Sequence, residues 1–264
     1  MRFLVIKRPT FIHLAGSALT ALLVSVAVLW SWYPGAYTQV SGGLHLLSLV
    51  IAVDVICGPL LTQILVKPHK SSREILLDVV VVVFIQLAAL AYGLMQIYQA
   101  RPLYLVHEID RFRLIAQPDY LGVDVAEEFR QLAPELRVGW CCGPKVVGAR
   151  MPENENERQK ILFEALAGGR DLSQRPSHYV AYGENYRTTV LARAKSVRAL
   201  LAHYPSLETD VSAVLVRNRV AENEARFVPL QHKEDWVVIV DQRARVLGFL
   251  RADGFQVIDR LQQR

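Results

Sequence analysis

The sequence predicts a membrane protein in which a three-helix transmembrane bundle is followed by one soluble mixed α+β domain. Long apolar runs are confined to residues 1–98 of the 264-residue chain. That region holds only six of the 30 Lys and Arg residues and three of the 25 acidic residues. Residues 99–264 are almost neutral in balance and have a comfortable size for a single core. We therefore expect a transmembrane domain at 1–98 and an α+β domain at 99–264.

Each of the three apolar runs is long enough to cross a bilayer, which takes about 20 residues. The predicted spans are about 12–33, 45–66 and 75–98. The first run resembles a signal peptide in following basic residues, but a signal peptide has only about 7–15 apolar residues and then a small-residue cleavage site. Here the run is longer and ends in the bulky stretch Trp30–Pro34, whose aromatics are typical of a membrane interface. An uncleaved anchor is the favoured interpretation.

The basic residues predict the orientation of the bundle, because cytoplasmic loops are enriched in Lys and Arg. They occur at Arg2, Lys7 and Arg8 before the first span and at Lys67, Lys70 and Arg73 between the second and third spans. The connection from Pro34 to Gly43 has none. We expect a multi-pass protein of the bacterial inner membrane, with a cytoplasmic N-terminus and a periplasmic C-terminal domain.

Asp54 is the residue of the bundle that most needs an explanation. It lies about nine residues into the second span, or ~13 Å deep at 1.5 Å per residue, where a carboxylate costs about 2.5–3.5 kcal/mol. We expect it to face the bundle and contact Gln86, at similar depth on the third span, with its protonation state left open. Asp54 is then either a docking or proton site or an interhelical tie worth ~0.6–2 kcal/mol, and the tie is favoured. Gly58-Pro59, one turn later, should kink the helix, either shaping a groove or adjusting the packing.

The soluble region predicts two hairpins and three helices. The hairpins pair Leu103–His107 with Phe112–Ala116 and Trp236–Val240 with Val246–Leu250, from strand-like residues on either side of polar corners. The helices are Val123–Leu132, Glu153–Ala167 and Thr188–His203, from their apolar spacing. Asn154 or Glu153 should begin the middle helix, and Gly168-Gly169 should end it.

The sequence carries no positive signal for catalysis, a cofactor or a metal. The segment His107–Arg111 starts like H-E-x-x-H, but Arg111 replaces the second histidine that zinc needs. Walker, Rossmann and nucleophile-elbow motifs are absent, and a nearly neutral C-terminal region does not suggest nucleic-acid binding. Cys57, Cys141 and Cys142 lack metal-site spacing. Because neighbouring cysteines can close only a strained ring, we interpret the adjacent pair as reduced or buried thiols, with a redox role and pairing between molecules left open.

Several stretches resemble the TfpX/TfpZ family of type IV pilin accessory proteins. They are Trp32–Gly35, Val53–Thr62, Lys67-Pro68, Gln86–Gly93, Tyr98–Pro102 and Asp110–Phe112, with a looser match at Gly143–Arg150. The resemblance implies a non-enzymatic inner-membrane protein that supports stability or assembly of a cognate pilin. It suggests that a groove near Asp54 and Gly58-Pro59 receives the pilin helix while the outer domain contacts the pilin head.

Candidate partner-binding or structural residues are Asp54, Gly58, Pro59, Gln86, Tyr92, Arg101, Asp110 and Arg111. The pairs Arg101-Pro102 and Asp110-Arg111 are expected at the joint between membrane and outer domain, as a salt-bridged hinge or as solvated charges. The main alternative function is a membrane-anchored periplasmic ligand-binding or sensor protein, which would lack a cytoplasmic output domain. A transporter subunit, which would need a homo-oligomer, and a tethered hydrolase complete the alternatives.

Overall fold

The computed structural model describes residues 8–65, 67, 70–120 and 125–258. The chain divides into two compact units, Met1–Arg101 and Pro102–Arg264. The first unit contains the helices α1 (Arg8–Ser31), α2 (Tyr37–Val40), α3 (Gly43–Leu65) and α4 (Ser72–Gln99). Among the described residues, α1, α3 and α4 are long and apolar enough to cross a membrane, in agreement with the three predicted runs.

The surface of these helices is largely apolar. Leu23 on α1, Ile64 on α3 and Phe84 on α4 are all more than 60% exposed. Such side chains favour a hydrocarbon surrounding, where a helix satisfies its own backbone hydrogen bonds. At the start of α4, the Ser71 side chain and the Glu74 side chain form a reciprocal capping box. Lys70 forms an ion pair with Asp78 in the next turns.

Helix α3 packs against both α1 and α4, whereas α1 and α4 make only sparse contact over their described lengths. Two glycines allow close approach at one end of the unit. A Cβ on Gly93 of α4 would lie 2.9 Å from the Val50 side chain of α3, and one on Gly43 would lie 2.3 Å from the Tyr33 ring. The Tyr33 hydroxyl donates to the carbonyl of Ile97 at 2.8 Å. The conspicuous Trp32–Gly35 stretch therefore fastens the end of α1 to α3 and α4.

The second unit is built on one mixed sheet. Its strands are β1 (Pro102–Glu108), β2 (Arg111–Ala116), β3 (Lys145–Ala149), β4 (Tyr179–Ala181), β5 (Lys195–Ser196), β6 (Arg226–Gln231), β7 (Asp235–Val240) and β8 (Val246–Arg251). The strand order is β4-β3-β1-β2-β6-β7-β8, and β5 pairs with β6. The β1–β3 and β2–β6 pairs are parallel, and the other pairs are antiparallel. Both predicted hairpins are present, as β1–β2 and β7–β8, and the domain is mixed α+β as expected.

The helices of this unit are α5 (Val125–Gln131), α6 (Glu155–Leu166), α7 (Glu184–Leu191), α8 (Val197–His203) and α9 (Glu208–Asn218). One apolar core lies around β1 and β3, including Tyr104 and Val147, and a second joins α8 and α9 to β6–β8. The start of α6 is as predicted: the Asn154 side chain accepts from the Asn156 and Glu157 amides. The beginning of the predicted helix Val123–Leu132 falls partly on 121–124, outside the described residues.

The single helix predicted at Thr188–His203 is wrong. Helix α7 ends at Leu191, β5 follows, and α8 begins after Ser196, whose side chain accepts from the Ala199 amide at 3.2 Å. Fully buried Val190, Ala194, Val197 and Leu200 keep helix-like spacing through this break. The helical spacing of apolar residues thus continues through a segment in which the backbone is not helical.

Candidate functional site: a polar cluster between apolar grooves

The predicted Asp54–Gln86 contact is present between α3 and α4. The Gln86 Nε2 amide donates to the Asp54 backbone carbonyl at 2.8 Å and to Asp54 Oδ1 at 3.3 Å. Asp54 is 9% exposed. The carboxyl group therefore points into the bundle and has a partner there, as expected for an ionisable side chain in an apolar helix.

His13 of α1 extends this contact into a network across three helices. Its Nε2 lies 2.5 Å from Gln86 Oε1, and its Nδ1 lies 2.6 Å from the hydroxyl of buried Thr62. The Gln86 carbonyl oxygen only accepts, so Nε2 carries the proton of that contact. Beside it, the Ser17 hydroxyl lies 3.5 Å from Gln86 Nε2.

Gly58 is required by this network. A Cβ at Gly58 would lie 2.0 Å from Gln86 Nε2 and 2.2 Å from its Cδ. The missing side chain thus leaves the space that the Gln86 carboxamide occupies. Pro59 lies buried within α3, where it removes one backbone donor from the helix. The sequence left two roles open for Gly58-Pro59, shaping a groove or adjusting the packing, and this contact of Gly58 within the chain concerns the packing.

Two apolar grooves border the cluster. The groove between α1 and α4 has a volume of about 640 Å³ and is lined by Arg8, Pro9, Ile12, His13, Gly16, Ser17, Thr20, Asp54, Ser72, Ile75, Leu76, Val79, Val83, Gln86, Leu87 and Leu90. A groove of about 520 Å³ between α3 and α4 includes Tyr92, Cys57 and Gly58 in its lining. Asp54 and Gln86 line both grooves. The polar cluster therefore forms a shared wall between two largely apolar surfaces.

The structure does not bring the remaining candidates to one place. Arg101 stacks on the Tyr98 ring at 3.7 Å and donates to the Tyr98 carbonyl at 3.2 Å. Asp110 and Arg111 form a 2.9 Å ion pair at the turn after β1. Strand β1 separates that turn from Pro102 by about 20 Å at 3.3 Å per residue. Asp110-Arg111 therefore lies at the hairpin turn between β1 and β2, and its ion pair joins sequence neighbours. The expectation that both pairs mark the joint stays a prediction.

Sequence reasoning missed three members of the cluster: His13, Ser17 and Thr62. A signal was available on α1, where Thr10, His13, Ser17 and Thr20 recur at helical spacing. Each residue alone is unremarkable near the end of a span. Asp54, Gly58 and Thr62 similarly follow one another every four residues and are all buried. The matching polar stripes on two helices indicate an interhelical network.

The second unit holds a buried group of titratable residues at its sheet. His107, which is fully buried, has its Nδ1 3.0 Å from the Tyr186 hydroxyl, and burial lowers its pKa to about 4. Burial also raises the pKa of the adjacent Glu108, whose Oε2 accepts from the Ser173 amide at 2.7 Å. Both residues lie on β1, so the His107–Arg111 segment is strand and turn. Among the described residues, no cluster of His, Cys, Asp and Glu has metal-binding geometry.

These features define a class of protein with three helices able to span a bilayer, a polar network joining them, and one α+β domain. Its relatives make the class more specific. The chain is 33% identical over 261 residues to the fimbrial assembly protein of serogroup E1 from Dichelobacter nodosus, covering 97% of this chain and 98% of that protein. The serogroup I fimbrial assembly protein of the same organism is 32% identical over 258 residues, with the same coverage. The chain belongs to this fimbrial assembly protein family.

A third relative matches the chain over a shorter length. The fimbrial assembly protein of Dichelobacter nodosus serogroups C1 and C2 is 39% identical over 120 residues, which cover 46% of this chain and 92% of that protein. No family model matches the chain. No solved structure matches it either.

Proposed function

We propose that this protein is an inner-membrane accessory protein of type IV pilus assembly that binds the transmembrane helix of a pilin subunit. The groove between α1 and α4 receives that helix, and the outer domain faces the periplasm and contacts the pilin head. The protein thereby supports stability or assembly of the pilin without catalysing a reaction. The names of the relatives support a role in fimbrial assembly, and the resemblance to the TfpX/TfpZ family supports a type IV pilin as the partner.

The observation that carries the proposal is the length and chemistry of the α1–α4 groove. On α4 its lining runs as one helical stripe from Ser72 to Leu90, which is about 27 Å at 1.5 Å per residue. That length is close to the roughly 30 Å hydrocarbon thickness that a membrane helix must cross. Because α1 and α4 make sparse contact, their facing surfaces lack the close packing that normally drives helix association in membranes. A guest helix would supply it.

The polar wall of the groove gives the guest helix a fixed register. Gln86 hydrogen-bonds one oxygen of the Asp54 carboxyl group, and Asp54 also lines the groove. A donor side chain on a guest helix at that depth would gain a hydrogen bond worth about 0.6–2 kcal/mol. Asp54 can therefore form the interhelical hydrogen bond with Gln86 and also serve as a docking site for a guest helix.

Site-specific photocrosslinking in membranes tests the groove. Leu87 lines the groove and is 56% exposed, whereas Phe84 lies on the same helix, is 72% exposed and lines neither groove. A benzophenone amino acid at position 87 should crosslink to pilin, and the same group at position 84 should not. Crosslinks of position 87 only to lipid or to a second copy of the chain would remove pilin from the groove.

Filling the groove provides an independent test. Nothing lies within 4 Å of a Cβ built on Gly16, a residue of the groove lining. Gly16→Leu should therefore lower the cellular pilin level and surface piliation while leaving the protein folded and abundant. Ala15→Leu is the matched control, because exposed Ala15 is adjacent and lies outside the lining. Equal effects of the two substitutions would argue against the groove.

The proposed orientation has its own test. Alkaline phosphatase, which is active only in the periplasm, should be active when fused after Arg264 and inactive when fused in the 67–71 connection. The reverse pattern would invert the proposed topology and exclude contact with a periplasmic pilin head. The alternative of a periplasmic ligand-binding or sensor protein gains no specific support from the described residues.

A further inference from the structure

We propose that Cys141 and Cys142 form a reversible intramolecular disulfide, so that the loop before β3 is a thiol–disulfide switch. The two Sγ atoms are 2.7 Å apart, a short displacement from the ~2.05 Å of an S–S bond. Cys142 is exposed and Cys141 is partly exposed. The sequence-based interpretation was reduced or buried thiols, and this exposure excludes only burial. It gives a soluble oxidant access to both sulfur atoms.

The backbone holds the two cysteines in a turn. Cys142 and Gly143 both have positive φ values, +83° and +69°. This conformation is unfavourable for a non-glycine residue and persists where the surrounding structure imposes it. The Lys145 ammonium donates to the carbonyls of Glu135 at 2.6 Å and Arg137 at 2.9 Å. The loop is thus closed at its base, and the two sulfur atoms approach each other at the turn formed by Cys142 and Gly143.

The reaction needs an external oxidant, for which we name a low-molecular-weight disulfide such as oxidised glutathione. One cysteine thiolate attacks a sulfur of that disulfide, forming a mixed disulfide and releasing one glutathione thiolate. The second cysteine thiolate then attacks the protein-bound sulfur, closes the Cys141–Cys142 bond and releases the second glutathione. The protein loses two electrons and two protons, and the external disulfide becomes two thiols. Operation of the switch in cells rests on the proposed periplasmic location, but its chemistry does not.

The test uses the full chain in detergent with Cys57→Ser, which leaves two cysteines. The protein is equilibrated with reduced or oxidised glutathione and quenched in acid. It is then redissolved at neutral pH in denaturant that contains N-ethylmaleimide, and its intact mass is measured. We expect two labels after reduction and none after oxidation, with a monomer about 2 Da lighter than the dithiol. Reduction should restore both labels.

Single-cysteine variants supply the control. Cys141→Ser and Cys142→Ser each lack the second thiol, so each should stop at a stable glutathione adduct. Two labels that persist in oxidised glutathione, a stable adduct on the two-cysteine protein, or a disulfide-linked dimer on a non-reducing gel would each overturn the proposal. This assay does not measure pilin crosslinking. A failure of the disulfide proposal can therefore be distinguished from a failure of the proposed pilin binding.

Discussion

Gly58→Ala should destabilise the helical unit because it displaces Gln86. The new Cβ would lie 2.0 Å from Gln86 Nε2, a distance that no Cβ tolerates. The carboxamide is the end of a flexible side chain and can move, so the penalty is the hydrogen bonds that it abandons. These are the 2.5 Å contact with His13 and the 2.8 Å contact with the Asp54 carbonyl. Interhelical hydrogen bonds in membranes contribute roughly 0.6–1.7 kcal/mol each, so two of them amount to about 1–3 kcal/mol.

A double-mutant cycle isolates this effect. In a Gln86→Ala background the space beside Gly58 is empty, and Gly58→Ala should then be neutral or stabilising by up to about 1 kcal/mol, from the better helix propensity of alanine. The coupling free energy between positions 58 and 86 should therefore be about 1–3 kcal/mol. The assay is equilibrium unfolding of the purified full chain in mixed micelles, followed by circular dichroism across a denaturing-detergent titration.

Gly16→Ala is the matched control in the same assay, because a Cβ at Gly16 meets nothing within 4 Å. It should not destabilise the protein in either background. If Gly58→Ala changes the free energy of unfolding equally in the presence and absence of the Gln86 side chain, then Gln86 does not fill the space beside Gly58. Gly58 would then not be needed for the polar cluster.

Three further predictions concern other parts of the chain. The pKa of buried His107 lies at about 4, below its unfolded value of 6.5, so its contribution to stability is present above pH 6.5 and is lost as the pH falls towards 4. Between pH 7 and pH 4 the wild type should lose about 2–3 kcal/mol more unfolding free energy than His107→Phe, and equal losses would contradict the assignment. A Cβ on Gly148 would lie 2.2 Å from the Tyr186 ring, whereas one on Gly183 meets nothing within 4 Å. Gly148→Ala should therefore lower the melting temperature through about 1–3 kcal/mol of overpacking, with Gly183→Ala unchanged; similar values for the two would refute this. Asp54→Asn retains an oxygen acceptor for Gln86 and should preserve cellular pilin levels, whereas Asp54→Leu should reduce them; loss with Asn would show that the carboxylate itself is needed.

The sequence was sufficient for features that depend on local pattern. The three long helices follow from run length, and the hairpins follow from strand-like runs beside polar corners such as Ile109-Asp110. It failed at Ala192–Ser196, where apolar spacing continues through a break made by a cap and a strand pairing. Ser196 accepts from Ala199, but serine is too common near helices for that cap to be predicted from one sequence.

In the polar cluster, too, the sequence predicted the contact that depends on span length and missed the contacts that depend on how the helices pack. Asp54 and Gln86 were paired because two antiparallel spans of known length fix the depth of each residue. His13 adds partners 49 and 73 residues away, and the choice among possible partners depends on how α1 rotates against α3. That rotation is set by side-chain packing over the whole interface. A lone histidine near the end of a span gives no information about it.

The position of His13 connects the stability of the bundle to its proposed function. Because α1 and α4 make little direct contact, the 2.5 Å His13–Gln86 contact is a direct link between these two helices across the groove wall. It holds them at a fixed separation while their apolar surfaces remain available to a third helix. The same hydrogen bonds that stabilise the unit would thus preserve the groove that we propose as the binding surface for a pilin helix.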